Sequence, residues 1–202
     1  MFFFTLPPLP KPPVETYQIV DVIDGDTIVT DKSQKVRLLS VDAPELDLCG
    51  GLEAKTKLES LVKGKKVKLH EVIADSYSRV VALVYQGRTS VNAEMVKSGW
   101  GKYNSINTSQ SNTLLYYSRQ AQDKGRGVFS PLCRQATNPE NPKCLIKGNA
   151  ARDNRNIYFF PGCSDYDRVI VEKNLGDRWF CTEAEAVKSG FQKSQNCYDK
   201  KF

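Results

Sequence analysis

The stretch YQIVDVIDGDTIVTDKSQKVRLLSV, residues 17–41, predicts three β-strands joined by two tight turns. Its apolar segments are rich in the β-branched and aromatic residues that are typical of strands. They are separated by DGD (24–26) and DKSQ (31–34), whose residue types favour turns. Because the first turn holds two carboxylates, it is either a plain hairpin turn or a place where the protein needs negative charge.

Further strands and helices follow this stretch. Pro44 ends the third strand, because the residue before a proline is biased towards an extended backbone. Periodicity then predicts two more strands, KKVKLHEVI (65–73) and RVVALVY (79–85), and three helices, LEAKTKLESLVKG (52–64), VNAEMVKSG (91–99, capped by Ser90) and 112–124. The pattern predicts an α+β, mainly β fold, in which a small closed antiparallel barrel of five strands packs with about three helices.

Composition divides the chain into four parts. Residues 1–15 are Pro-rich and predict a disordered end or the remainder of an export leader. Residues 16–132 form the barrel domain, and 133–146, with several prolines and asparagines, predict a linker. Residues 147–202, called here the C-terminal module, predict a small β-rich unit with one helix that starts at Thr182, with Glu185 three positions on.

Charge and histidine content narrow the possible chemistry. The 202 residues include 29 Lys and Arg against 23 Asp and Glu, a net charge of +6 that is compatible with a polyanionic substrate. There is a single histidine, His70, which excludes sites built on a histidine pair. Catalysis would therefore depend on carboxylates, arginines, tyrosines or thiols.

The cysteines indicate the compartment. Six cysteines are spread over both halves of the chain without a C-x-x-C pair, which favours disulfides over a metal cluster and leaves many pairings open. We therefore predict a secreted or envelope-associated protein. The apolar N-terminal run is too short to span a bilayer. We also predict a monomer without a stable protein partner.

Four short motifs concentrate the reactive side chains: DGDT (24–27), VRL (36–38), DAPE (42–45) and DSYSR (75–79). Each alone is unremarkable. Arg37 is unusual because it lies within an apolar strand, and a buried guanidinium is costly unless it is paired. This position favours a role facing a ligand.

In their order and spacing, these motifs and N-x-x-M-V-x-x-G (92–99) resemble the staphylococcal (micrococcal) nuclease family, over about residues 17–129. The resemblance implies an OB-fold barrel with three helices and calcium-dependent hydrolysis of DNA and RNA. The C-terminal module looks like a unit often appended to bacterial relatives, and no function follows from it.

The resemblance assigns roles to individual residues. Arg37 and Arg79 match the two phosphate-binding arginines, and their planar fork suits phosphate oxygens. Calcium takes oxygen ligands, and the matching ligands are Asp26, Asp42 and the Ala43 carbonyl, with Asp24 close behind them.

Glu45 matches the glutamate that acts as general base or orients a metal-polarised water. Tyr77 matches a nucleotide-contacting tyrosine, and Lys102 and Tyr103 are further candidates for substrate binding. The family's lysine before the second arginine is Ser76 here, and two other tyrosines of the nucleotide pocket have no clean match.

Three functions remain possible at this stage. The first is a calcium nuclease of low sequence specificity. The second is a non-catalytic OB-fold module that binds nucleic acid, and the third is an extracellular adaptor that uses the C-terminal module. The joint presence of the acids and arginines favours the enzyme, because a pure binder has no use for the full set.

Overall fold

The computed structural model describes residues 15–75, 79–151, 155–197 and 200–202. Apart from its last position, the predicted Pro-rich segment 1–15 lies outside these residues. Within the described ranges, no helix is long and apolar enough to cross a membrane.

The first part of the chain alternates short strands with helices. Its elements are β1 (Thr16–Val22), β2 (Thr27–Thr30), β3 (Lys35–Leu38), β4 (Val41–Asp42), α1 (Gly51–Val62), β5 (Lys66–Ala74), β6 (Val80–Gln86), β7 (Thr89–Ser90), α2 (Val91–Ser98), β8 (Lys102–Tyr103) and α3 (Ser111–Asp123).

Five of these strands pair in a closed order. β1 pairs antiparallel with β2 and β5, β2 with β3, and β5 with β6. β3 and β6 complete the ring, and they pair in parallel rather than antiparallel. A parallel pair needs a long crossover connection, which α1 and β5 provide. The predicted α+β, mainly β fold with five paired strands and three helices is confirmed for this part of the chain.

Alternate residues of the strands face one apolar core, and α1 covers it. Ala54, Leu58 and Val62 of α1 are fully buried, at the i, i+4, i+8 spacing of one helix face. Burying each large aliphatic side chain contributes roughly 1.5–3 kcal/mol. The core also includes Ile19, Val22, Ile28, Val36, Leu38, Val41, Met95 and Leu114.

Helix α2 fixes the end of β3 through a buried asparagine. Ser90 caps α2 as predicted, accepting from the Ala93 N–H over 3.1 Å. Asn92 is fully buried; its side-chain oxygen accepts from the Val84 N–H and its amide donates to the Leu39 carbonyl, both over 2.8 Å. Because buried polar groups need partners, this side chain ties α2 to β6 and to the residue that follows β3.

The rest of the chain has its own apolar cluster. Its elements are β9 (Arg134–Gln135), β10 (Ile146–Asn149), β11 (Ile157–Phe159), β12 (Val171–Glu172), β13 (Arg178–Phe180), α4 (Glu183–Lys188) and β14 (Gln192–Lys193). Four of the strands form a sheet in the order β13-β10-β11-β14, and its cluster includes Ile146, Tyr158, Phe160, Phe180 and Phe191. Thr182 and Glu185 form the predicted capping box of α4.

All six cysteines are paired, as Cys49–Cys133, Cys144–Cys181 and Cys163–Cys197. The first pair joins the connection before α1 to the start of the predicted linker. That linker, residues 133–146, includes β9, which pairs with β12 of the C-terminal module. The boundaries of the four parts remain a prediction.

Candidate active site

The DGD turn and the hairpin of β2 and β3 hold Asp26 beside Arg37. Strands β2 and β3 pair Thr27 with Arg37, and the Leu38 N–H donates to the Asp26 carbonyl over 2.8 Å. Only 3% of the Asp26 side chain is exposed. Its carboxylate accepts from the Arg37 guanidinium and, over 3.0 Å, from the Thr27 hydroxyl. The register of a short hairpin thus places a buried carboxylate beside a partly exposed guanidinium.

Asp42 contacts the same guanidinium from another connection. Arg37 Nη2 lies 2.8 Å from Asp42 Oδ1, while Nη1 pairs with Asp26. The Ala43 N–H donates to the second oxygen of Asp26 over 2.9 Å. Acids from two chain connections therefore converge on one positive charge.

Burial and charge oppose each other at this cluster. Burial is the largest effect on Asp26 and raises the pKa of its carboxyl to about 6, although Arg37 and the Ala43 N–H lower it. Burial also disfavours the charged Arg37, but Asp26 and Asp42 outweigh this and raise the pKa of the guanidinium. The two acids therefore favour the charged form of Arg37, which lies between them.

Asp24 supports the turn. Its Oδ1 accepts from the Asp26 N–H over 3.0 Å, a local bond that is typical of aspartate in turns. Its negative charge also raises the pKa of Asp26. Asp24 thus acts on the cluster through Asp26.

Glu45 lies in the same connection as Asp42 but outside the buried cluster, and its side chain is exposed to solvent. Its backbone is fixed: the carbonyl accepts from the Leu48 N–H over 3.0 Å. That carbonyl also lies so close to Gly51 that a β-carbon there would sit 2.0 Å from it. A residue without a side chain at the start of α1 therefore lets the loop with Glu45 pack directly on the helix.

Arg79 directly precedes β6 and lies near Arg37 through the parallel pairing. Arg37 is opposite Val81, and residues two apart in a strand share a face, roughly 7 Å apart along the strand. Arg79 Nε pairs with Asp75 Oδ2 over 2.7 Å, and 43% of the Arg79 side chain is exposed. From this register we expect both arginines at one face of the sheet. Tyr77 and Ser76 lie outside the described residues.

Comparison with known proteins identifies the family of this chain. A family model described as "Staphylococcal nuclease homologue" matches residues 35–131, which include Arg37, Asp42, Glu45 and Arg79. A thermonuclease from Staphylococcus hyicus is 30% identical over 129 residues, or 57% of this chain and 76% of that protein. The chain belongs to the staphylococcal nuclease family.

Other relatives align over less of their length. An uncharacterized endonuclease of Haemophilus influenzae is 37% identical over 121 residues, covering 57% of this chain and 66% of that protein. A probable staphylococcal-like nuclease of rice, CAN2, is 26% identical over 126 residues, covering 62% of this chain and 32% of its own length. The chain therefore spans slightly less than two thirds of the first relative and about a third of the second.

The predicted substrate-binding candidates Lys102 and Tyr103 lie beside the acidic connection, and sequence reasoning missed one partner of Lys102. Lys102 and Tyr103 pair with Asp42 and Val41 across β4 and β8. The Lys102 ammonium lies 3.0 Å from a carboxylate oxygen of Glu172, in the C-terminal module. No local signal marks this partner, because the two residues are 70 positions apart.

The available metal donors are oxygens. Among the described residues, no group of three or more His, Cys, Asp or Glu side chains could hold a metal ion. Asp26 and Asp42 do converge on a single cationic group, and the Ala43 backbone is in direct contact with Asp26. This donor set fits a hard ion such as calcium better than a softer metal.

Gly25 sets the distance between the two acidic connections, and this can be tested. A β-carbon at Gly25 would lie 2.5 Å from the β-carbons of both Ala43 and Ala54. We expect Gly25→Ala to lower the melting temperature by several degrees, since overpacking costs about 1–3 kcal/mol. We also expect it to reduce kcat/KM roughly tenfold, the scale on which small displacements of positioned groups act. Thermal denaturation and steady-state rates measure the two effects.

Gly87→Ala serves as the control. Gly87 has open space around it but a φ of +61°, so Gly87→Ala strains the backbone of a turn without crowding any neighbour. A Gly25→Ala enzyme as active as Gly87→Ala would show that the packing of the DGD turn does not position the acids.

Proposed function

We propose that this chain is a calcium-dependent phosphodiesterase that hydrolyses DNA and RNA with low sequence specificity. The observation that supports it best is the single guanidinium of Arg37 held between Asp26 and Asp42. Membership of the nuclease family and relatives named endonuclease and thermonuclease support the same reaction class.

The acids suit a loosely bound cation. Asp26, Asp42 and the Ala43 carbonyl would hold Ca²⁺, which supplies a fixed positive charge beside the scissile phosphate when it is bound. Two carboxylates and one carbonyl leave much of the usual set of six to eight oxygen ligands unfilled. We therefore expect weak affinity, which increases when a substrate phosphate adds an oxygen.

The arginines suit the phosphate. A guanidinium has five N–H donors in a planar fork, and the two carboxylates engage only part of the fork of Arg37. About a quarter of its side chain, 24%, remains exposed. Arg79, at the same face of the sheet, provides a second fork, and both would oppose the negative charge that develops on the phosphate oxygens during attack.

We assign Glu45 to the attacking water. A glutamate is a weak base for water, so its main role is to accept a hydrogen bond from the water and orient it. As the new P–O bond forms and the bond to the leaving oxygen breaks, Glu45 accepts the proton that the water loses. The leaving oxygen takes a proton from solvent.

The test uses plasmid DNA and total RNA as substrates, with the same protein preparation in calcium and in excess chelator. Cleavage of both substrates in calcium, its loss in chelator and its recovery when calcium is restored are expected. Undiminished cleavage in chelator would contradict the role of calcium. A gel shift without cleavage would instead support a non-catalytic nucleic-acid-binding module. If the protein neither cleaves nor binds nucleic acid, the adaptor role is the one that is left.

We also propose that the protein is a monomer and is secreted or associated with the cell envelope. The three disulfides favour an oxidising compartment, because thiols of cytosolic proteins are kept reduced.

A further inference from the structure

The C-terminal module lies against the candidate active site. A pocket of about 260 Å³ separates the connection that contains Asp42 and Ala43 from a 3₁₀ turn, Lys173–Leu175. Asp42, Ala43 and Lys102 line one side of this pocket, and Asn174 and Leu175 line the other. The module therefore faces Asp42 and Ala43, two of the residues that we assign to calcium.

Several contacts hold the turn in this place. Strand β12, which directly precedes it, pairs with β9, and Glu172 contacts Lys102 at 3.0 Å and Arg134 at 4.0 Å. The Lys173 N–H donates over 2.8 Å to the carbonyl of Cys133, whose disulfide leads to the connection before α1. Asp177, which is 3% exposed, accepts from the Glu172 N–H over 2.9 Å.

The side chain of Asn174 has a buried acceptor oxygen that is not satisfied by the surrounding described residues. The residue is 4% exposed, and its side-chain oxygen has no hydrogen-bond partner among the described residues. Buried polar groups in proteins are nearly always paired. The adjacent pocket provides room for a donor. Leu175, beside it, is 45% exposed, and a large apolar side chain at the edge of a pocket offers a contact surface for a ligand.

We propose that Asn174 and Leu175 form one side of a subsite for the nucleoside next to the scissile phosphate. This inference rests on the proposed function. A nucleoside combines an apolar face, which fits Leu175, with polar edges that can donate to Asn174. The Lys102 ammonium, which contacts Glu172 through one hydrogen bond, has further N–H donors for the adjoining phosphate. Because Asp42 and Ala43 line the same pocket, the bound nucleoside lies next to the bond that is cut.

The subsite accepts a nucleoside of a single strand, because only an unpaired nucleoside can leave the stack and enter a pocket of this size. The two residues thus determine how strongly substrate is bound and do not take part in the chemical step. A change in them is expected to alter KM and leave kcat nearly constant.

The test compares two exposed apolar residues of the module. Leu175→Glu places a carboxylate at the pocket, whereas Val187→Glu makes the same change on α4, where the parent side chain is 59% exposed. With a short single-stranded oligonucleotide in calcium, we expect Leu175→Glu to raise KM about tenfold and to change kcat less than about threefold. Val187→Glu is expected to match the parent.

A second variant and a binding measurement complete the test. Asn174→Ala is expected to raise KM about fivefold, on the scale of one lost hydrogen bond. Fluorescence anisotropy of the labelled oligonucleotide, with Glu45→Ala in every protein to prevent cleavage, is expected to show the same loss of affinity. Because Leu175 is exposed, its variant remains informative if Asn174→Ala does not fold.

The outcomes separate the two proposals. A parent protein that neither binds nor cleaves nucleic acid would overturn the proposed function and the subsite together. A parent that cleaves normally while Leu175→Glu behaves like Val187→Glu would overturn the subsite alone. If Leu175→Glu lowers kcat and leaves KM unchanged, the subsite alone is likewise overturned.

Discussion

Replacing Arg37 with lysine is expected to lower kcat for DNA cleavage at least about a hundredfold, the usual scale for losing a preorganised charge contact. Arg37 contacts Asp26 and Asp42 through two different nitrogens. A lysine keeps the charge but is a single point donor. It cannot contact both carboxylates with the same fork while presenting further donors to a phosphate. The rate should therefore fall steeply even though lysine retains the positive charge.

The control for Arg37→Lys is Arg88→Lys. Arg88 is exposed in the turn between β6 and β7, so its replacement tests the same chemical change away from the site. Thermal denaturation of both variants separates a rate loss from unfolding, because Arg37 also pairs with the buried Asp26 and the partly buried Asp42. A folded Arg37→Lys enzyme within severalfold of the parent rate would contradict the assigned role of the guanidinium.

The local parts of the fold and site follow from sequence. Asp26 and Arg37 are 11 residues apart, and two strand segments joined by a short turn suffice to bring them side by side. The helix face of Ala54, Leu58 and Val62 likewise follows from apolar periodicity. In both cases the contacts are close in the chain, so residue type and spacing determine them.

The parts that depend on distant contacts do not follow from sequence. The parallel pairing of β3 with β6 depends on a crossover through α1, which no alternation of residues indicates. The Lys102–Glu172 contact joins residues 70 positions apart, and an ordinary glutamate has no pattern that identifies its partner. Six cysteines allow many pairings, so Cys49–Cys133 and its effect on the module could only come from the folded chain.

Replacing Glu45 with alanine is expected to lower kcat at least about a hundredfold, the scale of general acid–base assistance. The side chain is exposed and its backbone is held on Gly51. The substitution should therefore leave the melting temperature nearly unchanged. KM should change little, because the carboxylate acts on water and not on the nucleic acid. Initial rates of DNA cleavage at saturating calcium measure the effect, with Glu53→Ala, an exposed glutamate in the first turn of α1, as the control.

Glu45→Gln distinguishes the two possible actions of this carboxylate. Glutamine keeps an oxygen that can orient the water but cannot accept its proton under neutral conditions. If orientation dominates, as we expect from the weak basicity of a glutamate, Glu45→Gln should retain more activity than Glu45→Ala. Equal losses in both variants would show that the negative charge itself is required. A Glu45→Ala enzyme as fast as Glu53→Ala would remove Glu45 from the reaction, and the water would then need another carboxylate of the same connection.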